Sequence, residues 1–229
     1  MAESIIKGIV LEVSNYPEND NESLIKLLTK KGILNLIASG LNKAQSKNKA
    51  NLLLGSYTEI EYFKARLRGK FSRLKKANAL IVPNYDNRHN IVLITKLLRF
   101  FNNFESSYNP IVQAYLTILP YMGQGKNRWL LTYVLGQSLD YFGAKIMNDK
   151  CVECLTPGNL CDFQFYKGGF LCAAHMTKRR WTKELKSYYY LFHSVDVYMQ
   201  MANSEIDEQI RHELIDFLKE NGSSRLDGM

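Results

Sequence analysis

The sequence predicts an α+β protein in which a small five-stranded β-barrel is followed by an α-helical domain carrying a metal-binding excursion. Three observations point there. Apolar residues recur with a period near two in the first 82 residues and near 3.6 beyond residue 90. The excess of positive charge sits on the strand-rich part, with 14 Lys and Arg against 7 Asp and Glu in residues 1–82, and 16 against 15 in residues 83–229. All four cysteines and one of the four histidines fall between Cys151 and His175.

In chain order, KGIVLEVS inside Ile5–Ser14 is rich in β-branched residues and predicts a strand, and YPENDNES after it is a turn or loop. Ser23–Thr29 and Ile33–Ser39 flank the KKG turn and predict a hairpin. The polar segment GLNKAQSKNKAN, residues 40–51, predicts a loop with a helical turn. Tyr57–Ala65 and Phe71–Ile81 are the fourth and fifth strands, which makes the barrel OB-type by strand number and length. PNYDNRHN, residues 83–90, is the predicted boundary, giving domains 1–82 and 83–229. Beyond it, Ile91, Ile94, Leu97, Leu98 and Phe101 share one helical face, followed by helices over Ile111–Tyr121 and Trp129–Phe142, the excursion at 150–176, a long helix over Thr177–Met201 and a last one over Ile206–Glu220.

The excursion has the spacing of a structural zinc site. Cys151 and Cys154 form a CxxC knuckle, and Cys172 and His175 form a CxxH knuckle. Two-residue spacers place both ligands of a knuckle on one side of a turn, and zinc takes thiolate sulfur and imidazole nitrogen well. Four ligands close such a site, so of Cys161 and His175 one stands aside; His175 is favoured because it completes a knuckle, which leaves Cys161 as a small buried hydrophobe. Disulfides or inert core thiols are the bland alternatives. The N-terminus MAESIIKGIVLEV has no basic region followed by an apolar stretch and cleavage site, which favours a reducing, cytoplasmic setting.

The charge pattern points to a polyanion on the barrel. Lys64, Arg66, Arg68, Lys70, Arg73, Lys75 and Lys76 run through KARLRGKFSRLKK with no acid among them, and Lys43, Lys47 and Lys49 form a second unbalanced cluster. Such cations can track a phosphate backbone while Phe71 stacks on a base; a solvated hairpin tip is the plain alternative. Enzymatic signatures fail. Gly123, Gly125, Lys126 and Asn127 lack Walker spacing, and Asp216 stands where the His212–Glu213 pair would need a second histidine. The apolar content of 46% and charged content of 23% are those of a globular chain, with no span fit to cross a bilayer.

Together, the basic barrel, the helical body and the CxxC…CxxH excursion resemble the bacterial recombination mediator RecO family over most of the chain. KGIVLEVS with its polar loop, and the segment ending IASGLNKAQSK, are similar to the family's first strands and its loop of small and basic residues, and Gly168 and Gly169 stand just ahead of Cys172. Three features depart from the pattern: His175 where the metal-bearing branch usually has cysteine, Leu155 where it often has glycine, and the tail KENGSSRLDGM, a weak match to a basic, apolar one. The resemblance implies a non-enzymatic, nucleoid-associated DNA repair and recombination factor. It would bind single- and double-stranded DNA through the barrel, anneal complementary strands and, with ring-forming RecR, help RecA displace single-stranded-DNA-binding protein. It also implies that the helical domain receives that protein's acidic, apolar C-terminal tail, for which Lys178, Arg179, Arg180, Trp181 and Lys186 are candidates; a solvated helix start is the alternative. The alternative function is a zinc-stabilised transcription regulator reading duplex DNA through its helices, which the charge distribution opposes; a metal hydrolase would need a zinc with an open position.

Overall fold

A computed structural model describes residues 3–43, 45–67, 69–222 and 226. Five strands come first, β1 (Glu3–Asn15), β2 (Glu22–Thr29), β3 (Gly32–Ser39), β4 (Tyr57–Phe63) and β5 (Ser72–Ile81), and they close into a barrel in the order β1-β2-β3-β5-β4. Pairings are antiparallel except for a short parallel contact that sets Leu36 opposite Ser72 and Ile37 opposite Arg73. Closure depends on β1 serving two neighbours. Its first half faces β4, its second half faces β2, and at Gly8 the two pairings overlap, opposite Thr58 and Thr29. A Cβ there would stand 2.8 Å from the Leu28 carbonyl oxygen, so the crossing point needs glycine. One step on, the register shifts between Val10 and Glu12, and the backbone of Val10 bonds instead to Gly55 and Ser56 at 2.7 and 3.0 Å.

The barrel interior holds Val10, Ile25, Leu27, Leu36, Ala38 and Ile60 from alternating strand positions, with Ala77 from β5 and with Leu41 and Leu52 from the connection between β3 and β4. Helices α1 (Arg88–Phe101) and α2 (Asn109–Ile118) follow. Asn87 caps α1 by accepting from the His89 amide at 2.8 Å. Its buried face is Leu93, Ile94, Leu97, Leu98, Phe100 and Phe101; Ile91, expected on that face, lies in the first turn and is exposed.

The chain divides into two compact units, Met1–Leu116 and Thr117–Met229. The polar break at 83–90 thus marks the end of the barrel strands, while α1 belongs to the barrel's unit. The second unit contains α3 (Asn127–Gly136), a hairpin of β6 (Leu160–Gln164) and β7 (Gly169–Cys172), then α4 (Thr182–Leu191), α5 (Val195–Met201) and α6 (Ser204–Glu220). Two expectations are corrected here. The helix expected to reach Phe142 stops at Gly136 and continues as turns. The long helix expected over 177–201 is two helices: Ser194 adopts an extended conformation and its hydroxyl accepts from the Val197 amide at 3.4 Å, starting α5 afresh. Its predicted beginning is also non-helical, because α4 starts after Trp181, whose amide donates to Glu184 at 2.7 Å. The β6–β7 hairpin was not anticipated; it holds Gly169 at φ +146°, where a Cβ would fall 2.0 Å from the Met147 carbonyl oxygen. No helix among the described residues is long and apolar enough to cross a membrane.

Candidate metal centre and nucleic-acid interface

The two knuckles are tight backbone turns. The Leu155 amide donates to the Cys151 carbonyl at 2.9 Å, and the His175 and Met176 amides donate to that of Cys172 at 3.0 and 2.9 Å. These turns aim four donors at one point: the sulfurs of Cys151, Cys154 and Cys172 and a ring nitrogen of His175 all lie within 4.8 Å of one another. The Cys154 and Cys172 sulfurs are 3.7 Å apart, and His175 Nδ1 is 3.6 and 3.4 Å from the sulfurs of Cys151 and Cys172. Zinc bonds of about 2.3 Å to sulfur and 2.0–2.1 Å to nitrogen give tetrahedral edges of roughly 3.6–3.8 Å, whereas a disulfide needs about 2.05 Å. The donor set therefore fits a closed four-coordinate metal site and no disulfide. Burial raises the Cys151 thiol, but backbone hydrogen bonds from Cys172, Cys154 and Glu153 outweigh it and bring the thiol down to about 6, toward the thiolate a metal requires.

Cys161 is not in the cluster. Its sulfur points to the Asn159 carbonyl oxygen at 3.0 Å, and it is half-exposed, not buried as expected. The reason is a register shift between Leu160 and Asp162, which leaves Cys161 as the extra residue of a bulge. Leu155, directly after the first knuckle, sits at φ +61° in the left-handed region, a conformation that costs a side-chain-bearing residue roughly 1–2 kcal/mol.

Beside the cluster lies a buried charge network that the sequence did not disclose. Asp162 is fully buried and accepts from the amides of Thr177 and Lys178, from Gln164 and from Arg180 Nε at 3.0 Å. Arg180 also donates to the Tyr188 hydroxyl at 2.8 Å and to both oxygens of Glu213 at 3.0 Å, and Tyr188 stacks on Phe163 with centroids 4.4 Å apart. Burial would raise Asp162, yet these donors hold it below the usual carboxylate range. Arg180 is thus corrected from a surface candidate to a core residue. Within KRRW nothing distinguished it from its exposed neighbour Arg179; the one available signal was Asp162, an acid amid the apolar residues of a strand.

Lys178, Arg179, Trp181 and Lys186 are exposed, Trp181 to 81%. A cavity of about 590 Å³ opens near them, lined by Lys178 and Lys219 but also by Glu213, Asp216 and Glu220, and neither Arg179 nor Trp181 reaches it.

On the barrel, the structure brings part of the 40–51 loop beside β5. The side chains of Asn48 and Asn51 accept from the Ala77 and Ala79 amides of β5 at 2.9 and 3.1 Å, and Asn48 donates to the Lys75 carbonyl at 3.4 Å. The loop with Lys47 and Lys49 is thereby fastened along the strand that carries Arg73, Lys75 and Lys76. All described members of both clusters are exposed. Arg68 lies outside the described residues. Arg73 is held by Glu22 at 2.7 Å, and Lys75 by Glu3 at 2.9 Å and Glu61 at 3.6 Å. Lys43, Lys47, Lys49, Lys64, Arg66, Lys70 and Lys76 form no ion pair among the described residues.

Residues 1–81, the barrel, match the family model described as "Recombination protein O N terminal". The chain is 31% identical over 186 residues to the DNA repair protein RecO of Mesoplasma florum, an alignment covering 75% of this chain and 67% of that one. It is 25% identical over 166 residues to the DNA repair protein RecO of Mycoplasma mycoides subsp. mycoides, covering 72% of this chain and 57% of the relative.

Proposed function

The chain belongs to the RecO family, and on that premise we propose that it is a DNA repair and recombination mediator that works by binding, without catalysis. Its barrel, read as OB-type, takes single- and double-stranded DNA, and the protein anneals complementary strands. With RecR it would help RecA onto DNA coated by single-stranded-DNA-binding protein. The observation that carries this reading is the fastening of the 40–51 loop onto β5, which lays Lys47 and Lys49 along the strand of Arg73, Lys75 and Lys76 as an exposed basic strip. Unpaired cations along such a strip suit phosphates and read no base edge, so binding would be salt-sensitive and nearly indifferent to sequence.

The metal is proposed as structural zinc held by Cys151, Cys154, Cys172 and His175. Zinc so held supplies cross-linking of the two knuckles and no open coordination position for chemistry. The helical unit is proposed to receive the acidic tail of single-stranded-DNA-binding protein at Lys178, Arg179, Trp181 and Lys186, without Arg180. The alternative, a zinc-stabilised transcription regulator, would show strong sequence preference. The deciding experiment is annealing of complementary oligonucleotides coated with single-stranded-DNA-binding protein. Acceleration supports the mediator, whereas no acceleration together with a tenfold preference between two unrelated duplexes supports the regulator.

A further inference from the structure

Two connections of the barrel meet at an aromatic pair. Tyr16 opens the β1–β2 connection, Phe71 closes the β4–β5 connection, and their rings stand edge to face with centroids 6.2 Å apart. In small five-stranded barrels these two connections border the face that binds oligonucleotides. Hydrogen bonds tie the described residues of both. The β1–β2 connection is closed by backbone bonds from Tyr16 to Glu22, Asn19 to Tyr16 and Glu22 to Asn19, at 3.0, 3.1 and 2.9 Å, and the Tyr16 hydroxyl donates to Glu18 at 2.9 Å. The β4–β5 connection is tied by the Ala65 amide to the Ser72 hydroxyl at 3.2 Å and by the Lys70 amide to the Leu67 carbonyl at 3.3 Å. The Arg73–Glu22 ion pair joins the ends of the two connections at 2.7 Å.

Despite this framework Phe71 remains 40% exposed, with Lys70 next to it and Lys64 and Arg66 a few residues back in the same connection. We infer that Tyr16 and Phe71 form a base-stacking step for single-stranded DNA, on which an unpaired base lies while the neighbouring cations hold its phosphates. A base already paired and stacked in a duplex offers no free face, so this step confers preference for single strands on a strip whose cations serve both forms. The inference rests on the DNA-binding reading of the barrel and adds to it the residues that select the strand form.

The test compares the full-length wild type with Phe71→Ala and Phe71→Trp, using fluorescence anisotropy on a single strand, on the same strand with abasic sites, and on a duplex of the same sequence. A stacked base is worth roughly five- to a hundredfold in affinity. Phe71→Ala should lose that much on the intact single strand, lose less than threefold on the duplex and lose little on the abasic strand; Phe71→Trp should retain wild-type binding. Tyr16→Phe, which keeps the ring, should behave as wild type, and Tyr16→Ala should follow Phe71→Ala. Equal loss on single strand and duplex, or no loss on either, overturns the stacking step while leaving the DNA-binding reading intact. Failure of the wild type to bind any of the three overturns both.

Discussion

The barrel and the two Cys/His knuckles reach a defined shape by opposite routes. Nine buried apolar residues, drawn from all five strands and the connection after β3, hold the barrel. The knuckles' own apolar cluster is Cys151, Leu171 and Cys172, and two of those three are metal-ligand candidates. Ordering a residue costs about 1–2 kcal/mol of backbone entropy, and so small a cluster cannot offset that for the knuckles themselves, whereas the hairpin between them buries Phe163, Phe165 and Phe170. The knuckles draw on the neighbouring Asp162–Arg180 network and, under the proposed zinc site, on ligation. One region is thus specified by a diffuse apolar pattern that tolerates local change, the other by a few polar bonds, each of which matters singly.

The strongest way to break this comparison is to remove the metal. Structural zinc in small peptides contributes about 10–16 kcal/mol of apparent binding energy. Chelation, or Cys151→Ser, should release the amides of residues 151–175 to fast hydrogen exchange while those of β1–β5 keep their protection. Equal loosening of the barrel would show that the two regions are not independently specified. In contrast, Cys161→Ser should leave metal content at one equivalent and His175→Ala should lower it, since only the latter is a proposed ligand.

Next in size is the charge network. Arg180→Met leaves Asp162 buried without its ion-pair partner and should cost about 3–5 kcal/mol in denaturant unfolding of the second unit. Pairing it with Asp162→Leu should recover much of that loss, because the penalty belongs to the orphaned charge. Acid should act in the same direction: the folded protein holds Asp162 below its ordinary range, so the stability it contributes is present above the unfolded carboxylate value and is lost as pH falls through the lower folded one. A pH-independent difference between wild type and Asp162→Asn would refute this.

How much was legible follows the same division. The five barrel strands are legible to within two residues because the barrel's interior is an alternation, and alternation is visible in Val10, Ile25, Leu27, Leu36 and Ala38. The clustering of Cys151, Cys154, Cys172 and His175 is legible because knuckle spacing is local. Arg180 was not, since its character depends on Asp162, 18 positions upstream, and on Glu213, 33 downstream, and a lysine-rich run looks solvated whichever member turns inward. The adjacency of Lys47 and Lys49 to β5 was hidden for a related reason: it is set by Asn48 and Asn51, whose bonding partners are 28 or 29 residues away.

A smaller effect separates function from stability on the barrel. Each phosphate contact on a single strand adds about −0.7 to the slope of log affinity against log salt. Lys64→Ala, Arg66→Ala and Lys70→Ala combined should flatten that slope by ~1 to 2 with the unfolding midpoint unchanged, whereas Arg73→Ala, which also removes a partner of Glu22, should shift both. The smallest effect is expected at Leu155→Gly, which relieves a left-handed leucine and should stabilise the excursion by about 1 kcal/mol, less the added freedom of glycine in the unfolded chain. A destabilised variant would mean that the half-exposed leucine side chain has a packing role that outweighs its strain.

The asparagine fastening has a consequence of another kind. Strand β5 meets β3 only at Ser72 and Arg73, so farther along it would present unpaired amides to any extended chain that passed. Asn48 and Asn51 fill the Ala77 and Ala79 donors with side-chain carbonyls, a substitute for a sixth strand that no second molecule can extend. Replacing both by alanine should therefore reopen the sheet's edge and show itself in sedimentation as concentration-dependent self-association; a strictly monomer-like response to concentration, unchanged from wild type, would mean the edge is guarded by other means.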